Sequence, residues 1–359
     1  MKLKKLLAGA LICSLVLSMA ACGNKSASEN TGGKEKTKLY VVNWKDYGSD
    51  NADFVAAFEK KYNCEIVNTY MSSEEELLTK LRTSKAGEID VCLPNCSILP
   101  AAIDEGLLAE IDNSKLKNFD GMFDKFKTQK ECFKDNKMYA VPFVWGSTAI
   151  AYNTDVIKEA PKSMSALFDK KYSGRIAFRD DYNDAVMAAA IALGQDPNNP
   201  SDLDAIKAKL VEQKALNKTY WKTGDEFSKL FAGKQIDIGL MWSGQAASMK
   251  KEGQPIAFTV PEDGAIGWVD NWAIASGSKN KDLAYAFIDW MISKDFQYNW
   301  AASGGPAPVN KAAADSIDPA YAASAGMDEA SLNRLHFMEY RTDKVKNNWN
   351  ELWTEVKAE

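Results

Sequence analysis

The sequence predicts an α/β fold of two lobes, each built on a mostly parallel sheet covered by helices. Its 359 residues exceed the roughly 100–200 that one ordinary core accommodates. Short apolar runs of β type alternate with segments of helical spacing. That alternation occurs twice, once before Pro142 and once after it. A βαβαβ rhythm of this kind favours parallel strands with helices on both faces.

The first half supplies the pattern in order. Leu39–Asn43 reads as a buried strand, after which Phe54, Val55, Phe58 and Tyr62 recur at helical spacing. Residues 65–68 form the next strand, and Ser73 with Glu76 forms a capping box ahead of Leu77, Leu78 and Leu81. Ile89–Leu93 is a third strand, followed by a helix over 99–108. In the second half, Ser147–Tyr152, Arg175–Phe178 and Ile236–Trp242 read as strands, and 165–171, 183–193, 225–231 and 245–251 as helices.

The amino terminus has a different character. Lys2, Lys4 and Lys5 precede an uncharged run from Leu6 to Ala21, the layout of a secretory signal over residues 1–21. At 16 residues the run is short of a spanning helix. Met19-Ala-Ala-Cys22 resembles a bacterial lipobox, so Cys22 is the expected lipidation site and the chain the expected tenant of the outer face of a membrane. Residues 22–38 lack large apolar side chains and read as a disordered tether.

Composition narrows the function classes. Net charge is −5, and setting the signal aside removes three lysines, leaving −8; no Lys/Arg run suggests a nucleic-acid partner. A single histidine, His336, argues against a zinc centre or a Ser/His/Asp machine. No GxxxxGK[ST], HExxH or GxSxG motif is present. Of the cysteines in the folded region, Cys64, Cys92, Cys96 and Cys132, the sequence assigns no pairing; Cys96, after a strand end, is the one that could face a cleft.

Ligands of open α/β sheets bind outside the carboxyl ends of strands. The residues there are Trp44, Tyr47, Asn95, Ser97, Asp180, Asp181, Asp184, Trp242, Trp268 and Asp270, a set rich in rings and carboxylates. Gathered carboxylates call for a cation, and indole and phenol faces attract one. An organic cation with methylene segments suits both. Asp181 and Asp184 also suit plain capping of the helix near residue 183, and Trp242 and Trp268 also suit a core.

Four segments carry a resemblance. Val42-Asn-Trp-Lys-Asp-Tyr47, Val141-Pro-Phe-Val-Trp-Gly-Ser-Thr148, Ile238-Gly-Leu-Met-Trp-Ser-Gly244 and Gly264-Ala-Ile-Gly-Trp-Val-Asp-Asn-Trp-Ala-Ile274 resemble, in order and spacing, the spermidine/putrescine-binding proteins of bacterial ABC importers. The resemblance implies the two-lobed type II periplasmic-binding fold, with residues 39–144 plus 268–311 in one lobe and 148–264 plus 320–359 in the other. It implies an exported, lipid-anchored, monomeric receptor that captures a polyamine between the lobes and delivers it to the permease subunits, with no cofactor, no metal and no chemical step. Trp44, Tyr47, Trp242 and Trp268 fall on its aromatic ligand positions. Asp181, Asp184 and Asp270 fall on its acidic ones, Asn95 on a small polar one and Glu339 on a polar one near the carboxy terminus. Ser97 and Gly305 stand where the family has tyrosines, which leaves the preferred polyamine open. Trp272 is either a further wall or a packing residue. The alternatives are the same fold holding another organic cation or an amino-acid-like solute, and an exported enzyme with Cys96 as nucleophile.

Overall fold

The computed structural model describes residues 35–359; the proposed signal, Cys22 and most of the tether lie outside the described residues. Folding starts at Thr37, two residues before the expected first strand. The strands are β1 (Thr37–Asn43), β2 (Cys64–Tyr70), β3 (Val91–Cys92), β4 (Phe133–Lys134), β5 (Lys137–Met138), β6 (Ala140–Asn153), β7 (Ile176–Arg179), β8 (Asn217–Trp221), β9 (Ile238–Trp242), β10 (Ile256–Thr259), β11 (Ala265–Ile274), β12 (Ala307–Pro308) and β13 (Leu335–Phe337). The sheet order is β2-β1-β3-β11-β6-β9-β7-β8. Both predicted parallel groups are there: β2-β1-β3 on one side and β9-β7-β8 on the other.

Between the groups run two long strands in the opposite sense, β6 and β11, paired antiparallel to each other. The first part of β6 pairs with β11, and from Thr148 onward it pairs with β9. Strand β11 likewise joins β3 through Ala273 and Ile274. These two strands therefore carry the backbone from one parallel group to the other. All 14 residues of β6 are buried, and Trp145, 1% exposed, donates its Nε1 to the Pro308 carbonyl at 3.0 Å. Burial of a side chain of that size, with its polar atom satisfied, stabilises the crossing by about 2–3 kcal/mol.

Strand β6 runs straight through Pro142, where sequence reasoning starts the second half later, at Ser147. Proline offers no N–H to a ladder and is normally confined to edges and bulges. A bulge is what accommodates it: Asp270 opposes Val144 while Asn271 opposes Pro142, so Phe143 is extra. The Phe143 carbonyl accepts instead from the Gln297 side-chain amide.

Other boundaries differ for local reasons. Ser73 caps the helix Glu74–Thr83 by accepting from the Glu76 amide at 3.1 Å, but Glu76 reaches back to Ser72 N at 2.7 Å rather than to Ser73. The expected helix over 99–108 stops at Asp104, and Gly106 follows in the left-handed region with φ +69°. Strand β3 is shorter than 89–93 because Pro94 ends it and the Asp90 carboxylate takes the Tyr40 amide at 3.0 Å. Residues 164–172 form 3-10 turns. The helix Leu203–Leu216 and strand β8 carry no sequence expectation; the helix buries Gln213 among Ile206, Leu210 and Leu216, which interrupts the apolar stripe.

Candidate functional site

The turn after β1 is built by Asn43, whose side chain donates to Ser49 Oγ at 2.9 Å and accepts from the Trp44 amide at 2.7 Å. Asp46 and Gly48 take left-handed backbone, with φ +58° and +92°. The chain doubles back and sets Tyr47 edge-on to Trp300, with ring centroids 5.1 Å apart. From there the Tyr47 hydroxyl donates to Asp270 Oδ2. Trp44 is half-buried in the same turn and packs against the core.

Asn95, just past β3, supplies the second donor, its Nδ2 lying 2.8 Å from Asp270 Oδ1. Its own Oδ1 accepts from Ser97 N at 3.0 Å, which fixes the rotamer. Its backbone N–H donates to Glu74 Oε2 at 3.0 Å. Two carboxylates, Asp270 and Glu74, thus meet around Asn95, and no lysine or arginine pairs with either among the described residues. Burial pushes the Asp270 carboxyl up against the pull of its two donors. Burial also pushes Glu74 well above the usual range, and the Asp270 charge pushes it further. Burial and Asp270 hold the Tyr47 hydroxyl protonated. A cation is what this corner lacks.

Glu74 carries no expectation as a site residue, because the run Glu74-Glu75-Glu76 reads as the acidic first turn of a helix. The signal that could find it is positional: a helix that follows a parallel strand starts at the carboxyl ends of the sheet.

Beside this corner, Trp268 stands two residues before Asp270, on the same face of β11. It is half-buried and pairs with Gly146 across the ladder. The indole lies flat on that glycine; a Cβ there would come within 2.2 Å of Cζ2. Trp272 is a packing residue, 0% exposed between Phe143 and Phe287. Gly305 lies under the Trp300 ring, where a Cβ would come within 2.8 Å, so no side chain of its own stands there.

A second acidic group sits at the end of β7. Asp181 does cap the helix Tyr182–Ala192, accepting from the amides of Asn183 at 2.9 Å and Asp184 at 3.1 Å. Asp184 is fully buried and bound to Arg179, Nη1 to Oδ2 2.8 Å. The Arg179 guanidinium also lies 3.7 Å from Asp181 and 4.9 Å over the ring of Trp242. Burial raises the Asp184 carboxyl to about 6 against the pull of the arginine. Asp180 is turned away, held by Lys357 at 2.6 Å and Trp353 Nε1 at 3.0 Å.

Glu339 is exposed and paired with Lys130 at 2.6 Å. It lines a cavity of about 260 Å³ with Cys96, Gln129, Glu131 and Asn198, whose walls include Val269, the neighbour of Asp270. Cys96 is buried; burial pushes its thiol up, and Sγ donates to the Met338 carbonyl at 3.2 Å. That is the reverse of an activated thiolate. Cys64, Cys92 and Cys132 are likewise buried and free. Among the described residues no cluster suits a metal ion, and no helix is long and apolar enough to cross a membrane.

The sequence pattern of the family described as bacterial extracellular solute-binding protein matches residues 53–329. The chain belongs to that family. Among curated relatives, the spermidine/putrescine-binding periplasmic protein of Escherichia coli is 29% identical over 290 residues, covering 79% of this chain and 81% of the relative. The putrescine/cadaverine-binding protein of Pseudomonas aeruginosa is 29% identical over 375 residues, with 99% of each chain covered. Among solved structures, the spermidine/putrescine ABC transporter substrate-binding protein PotD of Streptococcus pneumoniae superposes with a TM-score of 0.79 at 23% identity, over 90% of this chain and 99% of that one. The TpPotD lipoprotein of Treponema pallidum gives 0.76 at 22%, over 89% and 99%. The periplasmic-binding fold predicted from sequence is thus the fold of this solute-binding family member.

Proposed function

We propose that this protein is the extracytoplasmic receptor of an ABC importer, that it captures a polyamine in a cleft flanked by Asp270 and Trp268, and that it passes the ligand unchanged to the permease. The observation that carries the reading is the corner of Tyr47, Glu74, Asn95 and Asp270, where no lysine or arginine pairs with a carboxylate among the described residues: the buried Asp270 and the half-buried Glu74, oriented by neutral donors, with a ring face beside them. An alkylammonium offers three donors and a positive charge to that corner. The indole face of Trp268 favours the methylene chain and its charge. Relatives named for spermidine, putrescine and cadaverine support the same chemistry.

In this reading residues 39–144 with 268–311 and 148–264 with 320–359 are two lobes. They close about β6 and β11, which carry the backbone between the two parallel groups. Cys22 bears the lipid, the mature receptor is a monomer, and its macromolecular partners are the permease subunits. Trp44, Asp181, Asp184 and Glu339 border the ligand less directly than Asp270 does.

Calorimetry of the purified protein with putrescine, cadaverine, spermidine, spermine and choline tests the reading. Heat of binding is expected with at least one polyamine and not with choline; no heat with any polyamine refutes it.

Binding should also release protons. The Glu74 and Asp270 carboxyls are raised in the free protein, and a bound ammonium favours their charged forms and lowers them. Affinity is therefore full above the raised carboxyl range and is lost as pH falls through it. Titrations in two buffers of different ionisation enthalpy should give different apparent heats, with the sign of proton release; equal heats contradict this linkage.

A further inference from the structure

The end of β7 holds a cation of its own. Arg179 reaches Asp184 at 2.8 Å and Asp181 at 3.7 Å while its guanidinium covers the Trp242 ring at 4.9 Å. Each of these contacts is one that a ligand ammonium would make with a carboxylate pair and an indole. The arginine side chain keeps 26% of its surface exposed, whereas the Asp184 side chain has none. An incoming amine therefore meets the guanidinium before it meets Asp184. The other oxygen of Asp184, Oδ1, is buried without a partner, so the carboxylate has acceptor capacity that the arginine leaves unused.

Charge balance turns this into selectivity. Glu74, Asp181, Asp184 and Asp270 supply four carboxylates. Arg179 opposes them, as does Arg341, which is 6% exposed, held by Asn198 at 3.0 Å and within electrostatic reach of Asp181. Glu339 and Glu131 share Lys130, at 2.6 and 3.8 Å, and Lys125 lines the same cavity, so these two acids and two lysines cancel. Two negative charges remain. A diamine neutralises them, whereas a triamine leaves a positive charge beside Arg179, in a place where unbalanced charge is costly.

We propose that Arg179 is a specificity-determining residue, a resident cation that fills one ammonium position and restricts the site to diamines over tri- and tetra-amines. This rests on the polyamine reading above and adds which class of polyamine is taken.

Calorimetry with putrescine and spermidine decides it. The native protein should bind putrescine at least tenfold more tightly than spermidine. Arg179→Gln should shrink that ratio tenfold or more through a gain for spermidine, because Asp184 becomes available to the additional ammonium. Arg179→Lys, which keeps the charge, should preserve the native order. Arg179→Gln combined with Asp184→Asn should lose the gain. A merely structural arginine would weaken both amines by the same factor, and that outcome overturns the proposal. So does a native protein that binds spermidine as tightly as putrescine, a measurement that needs no variant to fold. If the native protein binds neither amine, nor any other polyamine, it is the polyamine reading that fails.

Discussion

Replacing Asp270 by asparagine should lower polyamine affinity at least tenfold, about 1.4 kcal/mol or more, while leaving the ligand-free fold intact. Asp270 is 5% exposed and receives Tyr47 and Asn95 as donors. An asparagine carbonyl can still accept from Asn95, and its new amide can donate to the Tyr47 oxygen once that hydroxyl rotates. The polar contacts of the free site survive, and the negative charge a cation requires does not. Removal of a buried, unpaired carboxylate also lifts a cost at neutral pH, since a carboxyl raised by burial is destabilising when ionised. The melting temperature without ligand should therefore not fall. Calorimetry beside a thermal melt separates the two quantities. Native affinity in Asp270→Asn would mean that the cation sits elsewhere, and a large drop in melting temperature would mean that the carboxylate is structural.

Gly146→Ala should produce a second large effect, this time through shape. The new methyl would lie 2.2 to 2.8 Å from three atoms of the Trp268 indole, so the ring has to swing off the ladder or β6 and β11 have to part. Overpacking of this kind costs roughly 1–3 kcal/mol. Both consequences fall on one place, because Trp268 stands beside Asp270 and Gly146 lies in the crossing strand. We expect a lower melting temperature together with a polyamine affinity reduced at least fivefold. Gly146→Ala combined with Trp268→Ala should recover stability relative to Gly146→Ala alone, since the clash partner is gone, but should not recover affinity. Full recovery of both would remove Trp268 from the site.

The alternating strands and helices were legible because each is set by local spacing, and the positions after strands followed from a general property of open sheets. Tyr47 and Asn95 could be nominated in that way, since each follows a predicted strand; Asp270 stands inside β11, a strand that carries no sequence expectation, and it is the resemblance that singles it out. Glu74 could not be separated from Glu75 and Glu76, because only the orientation of the helix start against Asn95 distinguishes one acid of that run from its neighbours. Arg179 was visible as the lone arginine near the acids, but whether it pairs with Asp184 or points to solvent depends on burial that spacing does not report. The interrupted stripe around Gln213 hid a helix, and Pro142 hid the first half of β6. At the bulge a tertiary contact, the Gln297 amide on the Phe143 carbonyl, meets what local rules disfavour, whereas Gln213 donates to Asn217 four residues on and leaves its Oε1 buried without a partner.

The extra residue at Phe143 has a consequence for how this protein can change over time. On a strand, successive side chains point to opposite faces, so the count of residues between two anchor points decides which face each one serves. Because Val144 opposes Asp270 while Pro142 opposes Asn271, the bulge sets the phase between the two stretches of β6 on either side of it. Deletion of a single residue from 140 to 144 would put that phase out by one step and turn Trp145, or the residues paired with the end of β11, to the wrong side. Substitutions along β6 can accumulate one at a time if volume is kept. A change in length cannot, so insertions and deletions among descendants of this gene should cluster in its loops and spare this stretch.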